Sequence, residues 1–207
     1  MIERAQITGL VLAGGRGSRM GGTDKGLQPL HGVPMAVHTM RRLGVQTGAL
    51  LLNANRNVDA YAAAGMPFDA AVVPDQELDG VPAFAGPLAG MLAGLDRCTT
   101  AWMVTSPCDT PFLPEDLVAR LAAALDAEQA EVAIPVTVDA SGRRQVQPAF
   151  LLMPVSARDD LRAYLTQGGR KIETWAARHR LVEVPFQDAA AFANINTLDD
   201  LRAFEAP

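Results

Sequence analysis

Residues 10–26 read LVLAGGRGSRMGGTDKG, from Leu10 to Gly26. With Ile7 ahead of Leu10, Val11 and Leu12, an apolar strand pattern runs straight into a loop holding five glycines before Lys25. A short apolar run bounded by glycine predicts a core strand of a parallel sheet. Glycines have no Cβ, so the loop turns tightly and brings several backbone N–H groups against one ligand. Arg16, Arg19 and Lys25 put positive charge on the same loop. Backbone donors with fixed cations suit a polyphosphate, held where open α/β sheets bind ligands, at the carboxyl end of a strand.

Two familiar phosphate loops are excluded by spacing. A P-loop needs Gly-Lys followed by Ser or Thr, and here Lys25 lies between Asp24 and Gly26. The dinucleotide fingerprint Gly-x-Gly-x-x-Gly, started at Gly15 and Gly17, places Met20 where the third glycine belongs. The remaining plain alternative is an ordinary strand-to-helix turn. What the stretch does hold is Leu12-Ala13-Gly14-Gly15, three variable positions, Arg19-Met20-Gly21, and Lys25 shortly after.

Bulk properties narrow the class. A chain of 207 residues suits one well-cored domain over 1–207. Its 49% hydrophobic and 20% charged residues are ordinary for a soluble globular protein. The net charge of −5 argues against a nucleic-acid partner, which needs a basic face. Cys98, Cys108, His31, His38 and His179 show no metal-ligand spacing, so a structural zinc site is not expected. Cys108 sits in a Pro-rich loop and reads as a small packed residue rather than a nucleophile. No apolar run spans a bilayer, and the start MIERAQITG lacks a signal-peptide core. A reduced, cytoplasmic protein with no membrane partner is expected.

Along the chain, helix and strand patterns alternate. Helices are predicted at Met35–Leu43, at Val58–Ala64 with Gly65 as C-cap, and from Gly86-Pro87 to about Leu95. Gly90 and Gly94, four apart, would let that last helix approach the sheet closely. Further helices are predicted from Pro114-Glu115-Asp116 with a Leu117, Leu121, Leu125 stripe, at Val155–Thr166, and at Lys171–Arg178. Strands are predicted at Ala49–Asn53, Ala70–Val73, Ala101–Thr105 and Leu181–Pro185. Val132–Val138 and Val146–Met153 read as a hairpin across Asp139–Gly142, an antiparallel excursion. Gln76–Ala85 reads as an irregular loop. Thr197 is a plausible N-cap with Asp200 at N3. The fold class is therefore α/β, a Rossmann-like doubly wound, mostly parallel sheet.

Polar residues follow several of these strands. Asn53 ends one, although Asn55 or Asn57 in the same cluster equally suits a helix N-cap. Asp75 follows another. Asp109 lies in Ser106-Pro107-Cys108-Asp109-Thr110-Pro111, where flanking prolines stiffen the backbone. A carboxylate there suits Mg²⁺, which takes one or two carboxylates plus substrate phosphates; a turn-forming Asx residue is the plain alternative. Asn194 and Asn196 share a face if their segment is extended. Arg143 and Arg144 read equally as a solvated turn or as a contact for a second anionic substrate.

Taken together, Leu12–Lys25, Asn53-Ala54-Asn55-Arg56, Gly86-Pro87-Leu88-Ala89-Gly90-Met91, Pro107–Pro111 and Asn194-Ile195-Asn196-Thr197 resemble the molybdenum cofactor guanylyltransferases over nearly the whole chain. The resemblance implies a nucleotide-diphospho-sugar transferase-like fold and transfer of GMP from GTP to the phosphate of Mo-molybdopterin. Mg²⁺ is the implied cofactor, and pyrophosphate and the guanine dinucleotide are the products. It places Leu12, Ala13, Gly14 and Gly15 against the nucleotide and Lys25 at its phosphates, with Arg19 sharing that load. Asn53 and Asp75 become further GTP contacts, Asp109 the Mg²⁺ ligand, and Asn194 and Asn196 a polar pair lining the same cleft. Molybdoenzyme apoproteins or their chaperones are implied as later partners.

No protein nucleophile is needed for such chemistry, since nucleotidyl transfer rests on positioning and electrostatic stabilisation. Three other readings stay open: a cytidylyltransferase using CTP, farther off a sugar-phosphate or cobinamide-phosphate nucleotidyltransferase, and a non-catalytic molybdopterin-binding or delivery protein. Gly14 bears on the first, because the resemblance gives guanylyl members glycine at this third position where cytidylyl relatives tend to carry alanine. A missing methyl there is expected to leave room for the purine.

Overall fold

The computed structural model describes residues 1–15, 24–82, 85–138 and 142–205. Its strands are β1 (Ile7–Leu12), β2 (Pro29–Leu30), β3 (Val33–Pro34), β4 (Ala49–Asn53), β5 (Ala71–Val73), β6 (Trp102–Pro107), β7 (Val132–Val138), β8 (Arg144–Val146), β9 (Leu152–Pro154) and β10 (Leu181–Phe186). The helices are α1 (Met35–Gly44), α2 (Val58–Gly65), α3 (Pro87–Arg97), α4 (Leu117–Glu128), α5 (Arg158–Thr166), α6 (Ile172–Ala176) and α7 (Leu198–Glu205). The main sheet runs β5-β4-β1-β6-β9-β7-β10, with β8 on the side of β7. Pairs β5·β4, β4·β1, β1·β6 and β7·β10 are parallel. Among the described residues, only β9 and β8 run against them. β2 and β3 form a separate small ribbon.

Period-2 alternation sends successive residues of a strand to opposite faces of the sheet. In β1, Val11 packs into the layer holding Met40 and Leu43 of α1 and the Leu117, Leu121, Leu125 stripe of α4. Leu10 packs into the opposite layer, with Leu88, Met91, Leu92 and Leu95 of α3, Leu161 of α5 and Trp175 of α6. Helices thus cover both faces, which a parallel sheet needs because neither face meets water. The two glycines of α3 set its distance. A Cβ on Gly94 would lie 2.5 Å from Leu10 Cδ2 and 2.9 Å from Met103 Sδ, and one on Gly90 would land on Asn53 Oδ1.

Several local expectations shift. Gly65 has φ −79° and is no left-handed cap. α2 instead continues as a 3-10 turn, Met66–Phe68, which stops at Asp69 with φ +53°. Glycine is needed at 65 because a Cβ would sit 2.6 Å from the Ala70 carbonyl oxygen. Pro114, Glu115 and Asp116 stay outside α4: the Leu117 N–H closes a turn onto Pro114 O at 3.3 Å before the helix begins. The stretch 146–153 is not one strand. β8 pairs the end of β7, the chain turns at Gln147–Phe150, and β9 resumes on the same edge of β7, where it lies between β7 and β6. Pro148 has no N–H to extend a ladder, so the break falls where the sequence cannot donate. Arg144 pairs with Glu183 across the sheet, a tie that fits its place in β8. At the end of the chain the expected capping box is present. Thr197 Oγ1 accepts from Asp200 N–H at 3.0 Å, and Asp200 Oδ2 accepts from Thr197 N–H at 2.9 Å.

Candidate active site

The parallel register lines up four strand ends at one edge. Leu12 of β1 faces Asn53 of β4 and Pro107 of β6, and Asn53 faces Val73 of β5. Chain leaving those ends lines a cleft of about 520 Å³. Leu12, Ala13, Gly14, Gly15, Lys25, Asn53, Asp75, Asp109, Asn194 and Asn196 all border it, so ten residues scattered from 12 to 196 meet at one place. Arg19, expected to share the phosphate load with Lys25, lies outside the described residues, as do Arg16, Met20 and Gly21.

At one side of the cleft Lys25 opens a 3-10 turn, Lys25–Leu27. Its Nζ donates to Asn196 Oδ1 at 2.7 Å and meets Asp109 Oδ2 at 3.3 Å. The three residues come from widely separated segments, which the Ile195 N–H fastens by donating to Asp109 O at 2.9 Å. Asp109 is only 8% exposed. The turn that carries it is closed by the Thr110 hydroxyl on Pro107 O at 3.0 Å, so its carboxylate is left to the cleft rather than spent on an Asx turn. Cys108 beside it is buried, and burial, with Asp109 and Asp24 nearby, pushes its thiol well above the usual range. A thiol held neutral is no nucleophile, in keeping with the packed role expected of it.

The other side is an amide network. Asn53 Nδ2 donates to Asp75 Oδ1 at 2.9 Å and to Val73 O at 3.0 Å. Asn55 Oδ1 accepts from the Asp75 N–H at 2.7 Å. Of Asn55 and Asn57, Asn57 does occupy the N-cap position of α2, at φ +49°, but it makes no side-chain cap bond. The space opened by the missing Cβ of Gly14 is already filled. A Cβ there would lie 2.8 Å from both Asn53 Oδ1 and Asn55 Nδ2. Glycine at this position therefore admits the two amides rather than vacant room for a base.

Sequence reasoning missed other lining residues, among them Asp24, Pro87 and Ala149. Pro87 is the first residue of α3, and Gly86 before it adopts φ +93°, so the amino end of that helix opens on the cleft. The Gly-Pro pair at a helix start was the available signal. Asp24 was hidden by the attention its neighbour Lys25 draws, and Ala149 gave none.

Residues 9–183 match the MobA-like NTP transferase domain family. The chain belongs to that family. It is 70% identical over 206 residues to the molybdenum cofactor guanylyltransferase of Cupriavidus metallidurans, covering 100% of this chain and 98% of that one. The Ralstonia pickettii protein of the same name is 57% identical, covering 97% of each. Among solved structures, the molybdopterin-guanine dinucleotide biosynthesis protein A of Archaeoglobus fulgidus superposes with a TM-score of 0.72 at 24% identity, covering 96% of both chains. A 4-diphosphocytidyl-2C-methyl-D-erythritolsynthase from Anaerococcus prevotii superposes with a TM-score of 0.73 at 13% identity over the same shares. At those identities the structures speak for the MobA-like fold alone.

Proposed function

We infer that this MobA-like chain is a molybdenum cofactor guanylyltransferase. It transfers GMP from GTP to the phosphate of Mo-molybdopterin, giving the guanine dinucleotide and pyrophosphate, and residues 1–207 act as one nucleotidyltransferase domain. The observation that carries the reading is the meeting of Lys25, Asp109 and Asn196 opposite the Leu12–Gly15 turn, at the carboxyl edge of the sheet. In this reading Leu12–Gly15 and the amino end of α3 lie against the nucleotide. The Ala13 N–H is held by Asn53 O, so the backbone donors that favour an anion are those of Gly14 and Gly15 and of the start of α3. Asn53 and Asp75 contact the base. Lys25 exchanges Asp109 for the phosphates of GTP and stabilises the pyrophosphate as it leaves. A terminal phosphate oxygen of the pterin substrate attacks the α-phosphorus in line. That oxygen is already ionised near neutral pH, so no strong general base is required. Asn194 and Asn196 line the acceptor side.

The donor chemistry fits Mg²⁺. Asp109 Oδ2 and Asn196 Oδ1 are hard oxygen donors, and a cation, the Lys25 ammonium, already lies against both. Asp109 would hold the ion with substrate phosphates completing its shell, and the bound ion would neutralise charge developing on the transferring phosphoryl group. No helix of the described residues is long and apolar enough to cross a membrane.

The test is a nucleotide panel with molybdopterin and Mg²⁺, read by pyrophosphate release. GTP is expected to exceed CTP by more than about tenfold in kcat/KM, which needs only about 1.4 kcal/mol. A site that pairs the polar edge of one base leaves its own buried groups unpaired with the wrong one. Comparable values or a CTP preference would favour the cytidylyl reading. Binding without pyrophosphate release would favour a delivery protein.

A further inference from the structure

Asp24 stands beside Lys25 at the edge of the cleft and is only 6% exposed. A carboxylate next in sequence to an ammonium, away from water, is by electrostatics a strong competitor for it. Here it does not take it. Asp24 Oδ1 accepts from the Tyr61 phenol at 2.5 Å, and Oδ2 accepts from the Asn57 amide at 3.3 Å. With both oxygens engaged by α2, the Lys25 ammonium reaches instead to Asp109 and Asn196.

We propose that Tyr61 is a positioning residue: through Asp24 it fixes the segment 24–26, so that Lys25 is presented to Asp109 and Asn196 across the cleft. The proposal rests on the reading of Lys25 as the phosphate-binding cation. Three independent features support it. Tyr61 has no exposed surface, so its phenol is held by the core and is a rigid post for residues 24–26. The chain passes directly over that post: a Cβ on Gly26 would lie 2.5 Å from the phenol oxygen and 3.1 Å from Cys108 Sγ. This explains Gly26 after Lys25 on packing grounds. Asn57 gives up the usual side-chain cap of α2 and adopts φ +49°, a conformation asparagine tolerates better than most residues, while its amide serves Asp24. Asn57 and Tyr61 lie one helical turn apart and are joined by the Tyr61 N–H on Asn57 O at 3.0 Å. Burial, reinforced by Cys108 and Asp24, raises the Tyr61 phenol far above its ordinary range, so it stays a donor at every working pH.

The experiment compares Lys25→Ala, Tyr61→Phe, Asn57→Gly, Asp24→Ala and the Asp24→Ala/Tyr61→Phe double variant, with thermal melts alongside pyrophosphate release from GTP, molybdopterin and Mg²⁺. Tyr61→Phe keeps the ring and removes only the donor. It is expected to lower kcat/KM about ten- to hundredfold well below its Tm, as a misplaced catalytic group does. Asn57→Gly keeps the left-handed backbone and should lose less, in the same direction. The double variant should be no worse than Asp24→Ala, because Tyr61 acts through that carboxylate. A folded Tyr61→Phe enzyme with a lowered Tm but normal kcat/KM would show a merely structural phenol and overturn the proposal, as would losses that multiply in the double variant. Should Tyr61→Phe not fold, Asn57→Gly decides: normal kcat/KM sinks the idea and a loss supports it. A normal Lys25→Ala removes the phosphate role of Lys25 and this inference with it. A crippled Lys25→Ala beside a normal Tyr61→Phe removes only the role of Tyr61.

Discussion

Lys25 spends its charge on two oxygens, and the lysine and its carboxylate partner each make a distinct prediction. Lys25→Ala is expected to weaken GTP in calorimetric titration far more than guanosine, since only the nucleotide carries the anion; equal losses would assign Lys25 to folding. Asp109→Asn keeps the shape and removes the charge. Its expected loss in kcat is about 10²–10³, the scale of one electrostatic group aimed at developing charge, and near-normal turnover at limiting Mg²⁺ would exclude Asp109 as the metal ligand. Gly14→Ala tests the amide network. The new methyl must displace Asn53 Oδ1 or Asn55 Nδ2, both 2.8 Å away, and through them Asp75. We expect kcat/KM for GTP to fall at least about tenfold, or 1.4 kcal/mol, and the GTP-to-CTP ratio to fall with it. An unchanged ratio would separate Gly14 from base choice. At this scale the sequence showed most of the cleft, because strand ends advertise polar residues. It did not show who pairs with whom: nothing in the string links Asn196 to Lys25, or Tyr61 to Asp24, since those bonds join residues brought together only by the finished sheet.

Elements were legible where the pattern was long and punctuated. β1, β4, α1 and the Leu117, Leu121, Leu125 stripe emerge from periodicity, and Gly90 and Gly94 announced a close helix. Boundaries moved where backbone geometry outranks composition, as at Gly65, which is small for the sake of Ala70 rather than for a left-handed turn. The split of 146–153 was unreadable, because β8 and β9 lie along the same edge of β7 and the turn between them, with β9 wedging in beside β6, is a choice of partner that leaves no period behind. Two stability predictions belong here. Gly94→Ala drives a methyl to 2.5 Å from Leu10 Cδ2 and should cost about 1–3 kcal/mol, as overpacking does. Asp200→Ala removes the side-chain acceptor of the Asn196 and Thr197 N–H groups while leaving the Asp200 N–H bond to Thr197 Oγ1, and should lower the midpoint through the lost half of the capping box. Both are read by denaturant melts; an unchanged midpoint for Gly94→Ala would mean α3 simply moves away.

For the whole molecule, acid is the exposed flank. Burial works against ionised Asp160, but bonds from Arg178 and Trp175 outweigh it and hold the carboxyl below its ordinary range. Bonds from Thr197 and the Asn196 N–H do the same for Asp200. A depressed folded-state pKa stabilises above the unfolded value, near 3.9 for aspartate, and that stability is lost as pH falls through the folded value. Tm should therefore hold from pH 7 to about 5 and drop below about 4, and Asp160→Asn should flatten the drop. An acid limb identical in that variant would remove Asp160 from the account. A different consequence follows from the insertion of β9 between β6 and β7. During synthesis β6 emerges early, yet the strand that covers its far edge is made only after residues 108–151. At roughly 5–20 residues per second the wait lasts a few seconds, during which β6 offers an open row of backbone donors and acceptors to any neighbouring chain. A ribosome-bound nascent chain halted before Leu152 should thus be held by chaperones and lost to aggregation when released, whereas one extended past β10 should not.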